Sequence, residues 1–422
     1  MVLPVRIGKE KMMAENSSPT AFFRQIISDE IENGNLILEE LDHKKAKVLK
    51  DIMECHTPAK GIAMSFCPHC GHSEYHNGSC HNACCPCCGS SVRLKWIEKQ
   101  QDYVLDARYF HIVFTIPSEL NPLCLYDPEF MYNCLFDSVG QTLLAFSDDQ
   151  KFLGGMPGFY CALHTWGQKL DLHPHIHVIF CAGALTDSGE WVTPKRTTKD
   201  GRPFLFPVKA LAAKFRGEFM ARLNEHFLSG EVFDKRELNS IIHKSLNKKW
   251  NVEIRESTGD PSHVIEYLGR YVNRVAITES RIVSYENGIV TFKYKDYRDG
   301  NKIKTMELTA REFLRRFMMH IPPRYFTTKR GYGFLSSGRK GSLVPRLKEL
   351  IKETKLKSGS RSDKPVTIAD VTPKERNPLF KVLDKMFPKQ SIGRCKKCGE
   401  LMEYISSWEC IRLFGPPGAA CP

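Results

Sequence analysis

The stretch that decides the fold is His173-Pro174-His175-Ile176-His177-Val178-Ile179-Phe180, near the middle of the 422-residue chain. Alternate side chains of a β-strand share a face, so His175 and His177 project to the same side, about 7 Å apart. The apolar residues that alternate with them face the other side and can anchor the strand in a core. Two imidazoles on one face can reach one divalent ion, although such a triplet is also typical of packed core histidines. The sequence therefore predicts a metal-binding strand that is buried on one side.

A third ligand is expected on a neighbouring strand, in Leu163-His164-Thr165-Trp166-Gly167-Gln168. His164 and Gln168 share strand parity in this segment. Gln168 is slightly preferred, because its amide oxygen suits Mg²⁺ or Mn²⁺, and His164 follows closely. Either residue could instead be a packed polar side chain.

Two tyrosines, Tyr267 and Tyr271, lie four residues apart in Ile265-Glu266-Tyr267-Leu268-Gly269-Arg270-Tyr271-Val272-Asn273-Arg274. On a helix they would stack along one flank of an apolar stripe, with Arg274 beside them. Phenolic oxygens can attack a phosphodiester when a metal ion polarises the phosphate. The pattern thus indicates paired nucleophiles, or alternatively two tyrosines at the edge of a core.

Twelve of the sixteen cysteines are clustered at two places in the chain. Two Cys-x-x-Cys pairs fourteen residues apart predict a tetrahedral zinc site with a structural role, made by Cys67, Cys70, Cys85 and Cys88. A second zinc is expected on Cys55, Cys80 and Cys84, with His72 or Cys87 as its fourth ligand. A candidate third site near the end of the chain comprises Cys395, Cys398, Cys410 and Cys421.

The chain is basic, with 61 lysines and arginines against 48 acidic residues and a net charge of +13. This balance favours a polyanionic partner such as nucleic acid. Residues 292–298 and 324–330 interleave cations with aromatic rings, as single-stranded DNA would require, although each could be a solvated strand edge. The candidate DNA contacts are Arg274, Lys293, Lys295, Arg298, Arg324, Lys329 and Arg330.

Strands and helices mix without strict alternation, which predicts an α+β fold with a central antiparallel sheet and flanking helices. A small zinc-binding domain is expected before it. The expected divisions are a helical segment (1–54), a zinc module for DNA recognition (55–100), a nuclease domain (105–335), a basic linker (336–390) and a zinc-ribbon tail (391–422). The sequence contains no apolar leader and no long apolar run, so an intracellular protein without a membrane partner is expected.

Several motifs in order resemble the two-tyrosine, rolling-circle insertion-sequence transposases of the His-hydrophobic-His (HUH) endonuclease superfamily. The resemblance spans residues 50–335 and is carried by the cysteine segment, LHTWGQKLDLHPHIHVIF, EYLGRYVNRVAITESRI and FLRRFMMHIPPRYFTTKRGYGFLS. It departs at Cys84, where the family usually has a histidine, and at 61–64, where a histidine is common.

The resemblance implies a ferredoxin-like or RRM-like nuclease fold that holds Mg²⁺ or Mn²⁺ on His175 and His177. Tyr267 and Tyr271 would be the nucleophiles that form a 5′-phosphotyrosine with single-stranded DNA at element ends and target DNA. A host helicase and a cytoplasmic, nucleoid-associated location would follow. Two alternatives stay open, a plasmid replication initiator or relaxase with the same chemistry, and a non-catalytic zinc-ribbon regulator that binds DNA.

Overall fold

The computed structural model describes residues 21–89, 99–100, 102–198, 201, 203–229, 234–256, 275–357, 395–400 and 402–405. Its helices are α1 (Ala21–Glu32), α2 (His43–Glu54), α3 (Asn121–Tyr126), α4 (Pro128–Asp148), α5 (Val208–Ser229), α6 (Lys235–Leu246), α7 (Ala310–Met319) and α8 (Lys340–Lys357). Its first strands are β1 (Ile62–Phe66), β2 (Ser73–Asn77), β3 (Tyr109–Thr115), β4 (Met156–Trp166), β5 (Leu172–Leu185), β6 (Trp191–Val192), β7 (Arg196–Thr197) and β8 (Pro203–Phe204). The later strands are β9 (Asn251–Glu256), β10 (Ile282–Glu286), β11 (Ile289–Asp296), β12 (Lys302–Thr309), β13 (Lys329–Gly333) and β14 (Glu403–Ile405).

The largest sheet is antiparallel and runs in the order β13-β4-β5-β3-β9, with β6 paired to the end of β5. The strand that carries the paired histidines, β5, lies at its centre between β4 and β3. Helices flank this sheet, so the predicted α+β fold with a central antiparallel sheet is confirmed.

One face of the sheet packs on helices α4 and α5. Ile176, Val178 and Phe180 are fully buried in this core, as their alternation with the histidines predicts. The rings of Phe114 on β3 and Phe215 on α5 meet edge to face with centroids 5.1 Å apart. Burial of large apolar side chains on this face fixes the register of β5, because a shift by one residue would turn the histidines into the core.

The opposite face is covered in part by helix α8. Val344, Leu347 and Ile351 are buried on α8 and pack in a cluster that contains Ile179 of β5. The predicted basic linker is therefore wrong for residues 340–357, where these apolar residues at helical spacing form a stripe among many lysines and arginines. The remainder of that predicted linker, residues 358–390, lies outside the described residues.

A second core joins the N-terminal helices to the three-stranded sheet β10-β11-β12 and to α7. Phe23 of α1 lies with its ring centroid 5.3 Å from that of Phe313 and 4.8 Å from that of Phe317, both on α7. Residues 21–54 are thus not a separate helical segment, because their apolar face is buried against residues of the expected nuclease domain. Asn287 and Gly288 form the tight turn of the β10–β11 hairpin, both with positive φ.

A third, small sheet joins strands from the N-terminal part of the described chain to a strand near its C-terminal end. Strand β1 pairs with β2 in a hairpin and with β14 on its other side, with Ser65 opposite Tyr404. Residues 395–405 therefore belong with the zinc module, and the prediction of a separate tail is wrong for them. Among the described helices, none is long and apolar enough to cross a membrane.

Candidate active site

Three histidines meet on the sheet face that also carries Ile179. His175 and His177 project from β5, and His164 lies opposite His175 on β4. One ring nitrogen from each lies within 4.8 Å of the others. His164 and His177 are buried, and their ring centroids are 4.5 Å apart. Three imidazoles that converge in this way could hold one divalent ion.

Hydrogen bonds fix the direction of both β5 rings. The Nε2 atoms of His175 and His177 face each other at 3.2 Å. The Nδ1 atom of His175 donates to the carbonyl oxygen of His173 at 2.7 Å, and Nδ1 of His177 lies 2.7 Å from Nε2 of His111. A metal ligand usually has its second ring nitrogen held by such a partner, which orients the ring and fixes the tautomer. The two Nε2 atoms are thus the pair directed at a shared ion.

Burial favours the neutral form of two histidines at this site. It lowers the pKa of His175 to about 4 and also that of His111 to about 4, with the charge of Arg255 as a further cause for His111. Metal binding requires a neutral imidazole, so no proton has to be displaced from His175 near pH 7.

Sequence reasoning left the third ligand open and slightly preferred Gln168. The structure places the Gln168 side chain against the β11–β12 hairpin, where its Oε1 accepts from the amide of Lys295 at 3.2 Å. Its Nε2 donates to the hydroxyl of Tyr297 at 3.3 Å. His164 therefore joins the β5 histidines, while the Gln168 amide is used in loop packing.

His111 is a residue that sequence reasoning missed. It is buried on β3, and the only available signal was a histidine within the otherwise apolar run Tyr109-Phe110-His111-Ile112-Val113-Phe114. Its ring lies nearly parallel to that of His177 with centroids 5.0 Å apart, and the hydrogen bond joins the two rings edge to edge. The residue can therefore position His177 without touching the ion itself.

Replacing His111 by leucine is expected to weaken Mn²⁺ binding by roughly 10- to 100-fold, because His177 loses the partner of its Nδ1 atom. Isothermal titration with Mn²⁺ measures the effect. The variant His111→Gln, which can still accept this hydrogen bond, should recover part of the affinity. Equal affinities of His111→Leu and the unaltered protein would refute a positioning role.

The predicted nucleophiles Tyr267 and Tyr271, and Arg274 beside them, lie outside the described residues. The residues on either side of that segment are described. Glu256 ends β9, which pairs with β3 next to His111. Ala276 and Ile277 are buried in the second core, which also contains Leu170 from the turn before β5. The segment thus begins after a strand that pairs with the strand of His111. It ends before residues that share a core with the turn preceding β5.

The cysteines of the zinc module group differently from the prediction. Cys55, Cys80, Cys85 and Cys88 place their sulfur atoms within 4.8 Å of one another, and the sulfurs of Cys80 and Cys88 are 3.3 Å apart. The assignment of Cys67 and Cys70 to the site of Cys85 and Cys88 is therefore wrong. Hydrogen bonds among the thiols, that with Cys80 first, lower the pKa of Cys55, whereas hydrogen bonds with Cys55 and its neighbours raise the pKa of Cys85.

The residues offered as further ligands of that second zinc have other surroundings. Among the described residues, neither four-thiol group includes Cys84, and burial raises the pKa of its thiol to about 11. The ring of His72 pairs with Glu74 at 3.2 Å, and the sulfur of Cys87 lies 3.9 Å from a Glu279 oxygen. These three side chains are occupied by packing and polar contacts.

Cys67 and Cys70 form the second group with Cys395 and Cys398. The candidate C-terminal site is corrected accordingly, since its first two cysteines join the N-terminal module. Cys410 and Cys421 lie outside the described residues. Spacing could not reveal this pairing, because every Cys-x-x-Cys pair is chemically equivalent in a sequence.

The predicted DNA contacts that the structure describes differ in exposure, and Lys329 on β13 is half-buried. Lys293, Lys295, Arg298 and Arg324 are exposed. The Arg324 guanidinium lies 4.7 Å from the ring centroid of Tyr325, which is 85% exposed. Arg330, in contrast, bonds to Asn133 of α4 and lies over the Phe136 ring at 4.2 Å. It stabilises the packing of β13 and is removed from the candidate contacts.

Comparisons with known proteins agree with this arrangement. Residues 158–342 match the family model described as "Putative transposase", and residues 23–116 match the one described as "Transposase zinc-binding domain". "Putative transposase y4qJ" of Sinorhizobium fredii (strain NBRC 101917 / NGR234) is 32% identical over 321 residues, 74% of this chain and 79% of that protein. "Transposase for insertion sequence element IS801" of Pseudomonas savastanoi pv. phaseolicola is 26% identical over 392 residues, 90% of this chain and 88% of that protein. No solved structure gives a significant match.

These matches cover both the cysteine-rich N-terminal part and the sheet that carries the histidines. The first contains the thiol group of Cys55, Cys80, Cys85 and Cys88, so its structural metal is Zn²⁺. The second contains β4 and β5. The chain therefore belongs to the IS91/IS801-type family of insertion-sequence transposases.

Proposed function

We propose that this transposase cuts and rejoins single-stranded DNA by tyrosine attack at a phosphate held beside His164, His175 and His177. Membership of the family makes the chain a DNA-cutting and DNA-rejoining enzyme of transposition. The observation that carries the finer proposal is the convergence of the three imidazoles on one sheet face. A Mg²⁺ or Mn²⁺ ion bound there would polarise the scissile phosphate.

The histidine site supports this chemistry through its orientation. The imidazoles of His177 and His175, fixed by His111 and by the carbonyl of His173, present Nε2 atoms without needing to rearrange. Because the rings are already oriented, no free energy is needed to reorient them during the reaction. We assign the ligand roles to His164, His175 and His177.

Tyr267 and Tyr271 are the proposed nucleophiles. Their segment follows β9, which pairs with the strand that carries His111, and Tyr267 comes eleven residues after Glu256 in the sequence. The phenolic oxygen forms the new bond to phosphorus while the bond to the 3′ oxygen breaks. The phenol proton passes to that oxygen, which leaves a 5′-phosphotyrosine and a free 3′-hydroxyl. The free energy of the phosphoester bond is retained in the phosphotyrosine, so the 3′-hydroxyl of another strand can attack the phosphorus and release the tyrosine. A second tyrosine can hold a second DNA end.

Exposed rings beside cations support a single-stranded substrate. Tyr297 is 64% exposed, and Lys295 lies 5.7 Å from its ring centroid. Tyr325 with Arg324 forms a second such pair. Bases can stack on these rings while the cations contact phosphates, so binding should weaken strongly with salt. Separation of the two strands would then fall to a host helicase.

The proposal is tested with single-stranded oligonucleotides that span an end of the element, labelled at the 3′ terminus, together with Mg²⁺ or Mn²⁺. The 3′ label stays with the 5′-phosphotyrosine product, so an adduct that resists denaturing electrophoresis is expected. Tyr267→Phe/Tyr271→Phe should give none, because both phenolic oxygens are absent. Tyr126→Phe, at an exposed tyrosine of α3 to which no role in DNA binding is assigned, is the matched control and should retain the adduct.

Other outcomes would contradict the proposal. An adduct that survives in the double variant would place the nucleophile elsewhere. DNA binding that needs no divalent ion, with no adduct in any variant, would instead favour the non-catalytic zinc-ribbon regulator.

A further inference from the structure

The second thiol group joins residues from the two ends of the described chain. The sulfur of Cys67 lies 3.5 Å from that of Cys398, and the sulfur of Cys70 lies 3.6 Å from that of Cys395. The pairs are separated by 331 and 325 residues in sequence. Four sulfurs at Zn–S distances of about 2.3 Å in a tetrahedron are about 3.8 Å apart, whereas a disulfide would need about 2.05 Å. The spacing therefore matches a metal site.

Both halves of the group have the same local backbone. The amide of Cys67 donates to the carbonyl of His72 at 2.8 Å, and the amide of Gly71 donates to the carbonyl of Cys67 at 2.9 Å. The C-terminal half repeats this pattern: the Cys395 amide donates to Glu400 at 2.7 Å and the Gly399 amide to Cys395 at 2.8 Å.

The glycine that follows each pair makes these turns possible. Gly71 has φ 69° and Gly399 has φ 78°, a left-handed conformation that favours glycine. The sequences Cys-Pro-His-Cys-Gly and Cys-Lys-Lys-Cys-Gly are thus two matching knuckles, each shaped to present two sulfurs to one ion.

Two further contacts fasten the same segments. Strand β14 extends the β1–β2 hairpin as a third antiparallel strand, with Phe66 opposite Glu403. The Lys396 ammonium lies 3.4 Å from a carboxylate oxygen of Glu74 on β2. An exposed ion pair of this kind contributes little, and a three-residue strand is short, so these contacts alone would hold the ends weakly.

We propose that Cys67, Cys70, Cys395 and Cys398 bind a second structural Zn²⁺, which clasps residues 395–405 onto the zinc-binding domain. Two of its ligands, Cys67 and Cys70, lie inside residues 23–116, which match the zinc-binding family model, whereas Cys395 and Cys398 lie far beyond the end of that segment. The part of the chain between Cys70 and Cys395 contains the whole DNA-cutting domain. The clasp would hold both ends of this part at the same metal ion. Its existence is independent of the proposed tyrosine chemistry.

The test uses the full chain with a specific protease site inserted between residues 358 and 394, and two readouts. Zinc content is measured per chain, and retention of the C-terminal fragment is measured after cleavage. The unaltered cysteines should hold the fragment through size-exclusion chromatography. Cys395→Ser/Cys398→Ser should lose one zinc per chain and release the fragment, while Cys84→Ser should change neither readout.

A conservative variant separates loss of metal from misfolding. Cys398→His retains a zinc ligand and should keep both the ion and the fragment, whereas Cys398→Ser should lose most of each. Full zinc content together with full fragment retention in Cys395→Ser/Cys398→Ser would overturn the clasp. Loss of one zinc with full retention of the fragment would also overturn it, because the strand pairing would then be sufficient.

Discussion

Replacing His177 by alanine is expected to reduce cleavage of single-stranded DNA by on the order of 10³-fold, since loss of several kcal/mol of metal-assisted charge stabilisation corresponds to such a factor. His177 is the central member of the site. Its ring lies 4.5 Å from that of His164 and 4.9 Å from that of His175, and its Nε2 faces that of His175. Without it, two imidazoles remain and His111 loses its partner. Single-turnover cleavage of the 3′-labelled oligonucleotide measures the rate.

His243→Ala provides the control, because His243 is exposed on α6 and belongs to none of the described metal groups. It should cut at the unaltered rate. Retention of more than a tenth of the activity by His177→Ala, with DNA binding unchanged, would contradict the assignment of this residue as a metal ligand.

Replacing Cys85 by serine is expected to unfold the zinc module while leaving the large sheet folded. Structural zinc contributes about 10–16 kcal/mol in zinc-finger peptides, far more than a small module gains from its own core. Cys55 and Cys85 are fully buried beside Ile52 of α2, so the metal site sits inside the second core. Its loss leaves a cavity lined by thiols between α2 and the segment around residue 88.

Hydrogen exchange read by mass spectrometry can resolve this effect along the chain. Amides of residues 43–89 should lose protection in Cys85→Ser, and β5 should keep it, because its core with α4 and α5 contains none of these thiols. The matched variant Cys84→Ser should behave as the unaltered protein. Equal protection of residues 43–89 in all three proteins would contradict a structural role for this site.

The strand with the paired histidines could be predicted because its pattern is local. Alternation of period two placed His175 and His177 on one face and Ile176 and Val178 in the core, and the structure confirms both. The Asn287-Gly288 turn was equally predictable, since this pair has a strong preference for the hairpin geometry. In each case the residues involved are close in sequence.

Features that depend on distant parts of the chain could not be predicted in this way. The spacing of the cysteines does not reveal which Cys-x-x-Cys pairs meet in the fold. The contact of Cys67 with Cys398 is seen only once β14 is paired with β1. His111 on β3 positions a side chain of the neighbouring strand β5. A single histidine in an apolar strand does not indicate which residue it will contact. In α8 the abundance of lysine and arginine concealed the buried stripe of Val344, Leu347 and Ile351.

The most direct test of the central claim is anomalous diffraction at the manganese edge from crystals of the protein with Mn²⁺ and a single-stranded oligonucleotide from its element end. We expect a manganese peak among the ring nitrogen atoms of His164, His175 and His177, with a DNA phosphate beside it. The hydroxyl of Tyr267 or Tyr271 should lie against that phosphate, or be joined to it. A manganese peak elsewhere, or both hydroxyls far from any bound phosphate, would contradict the account.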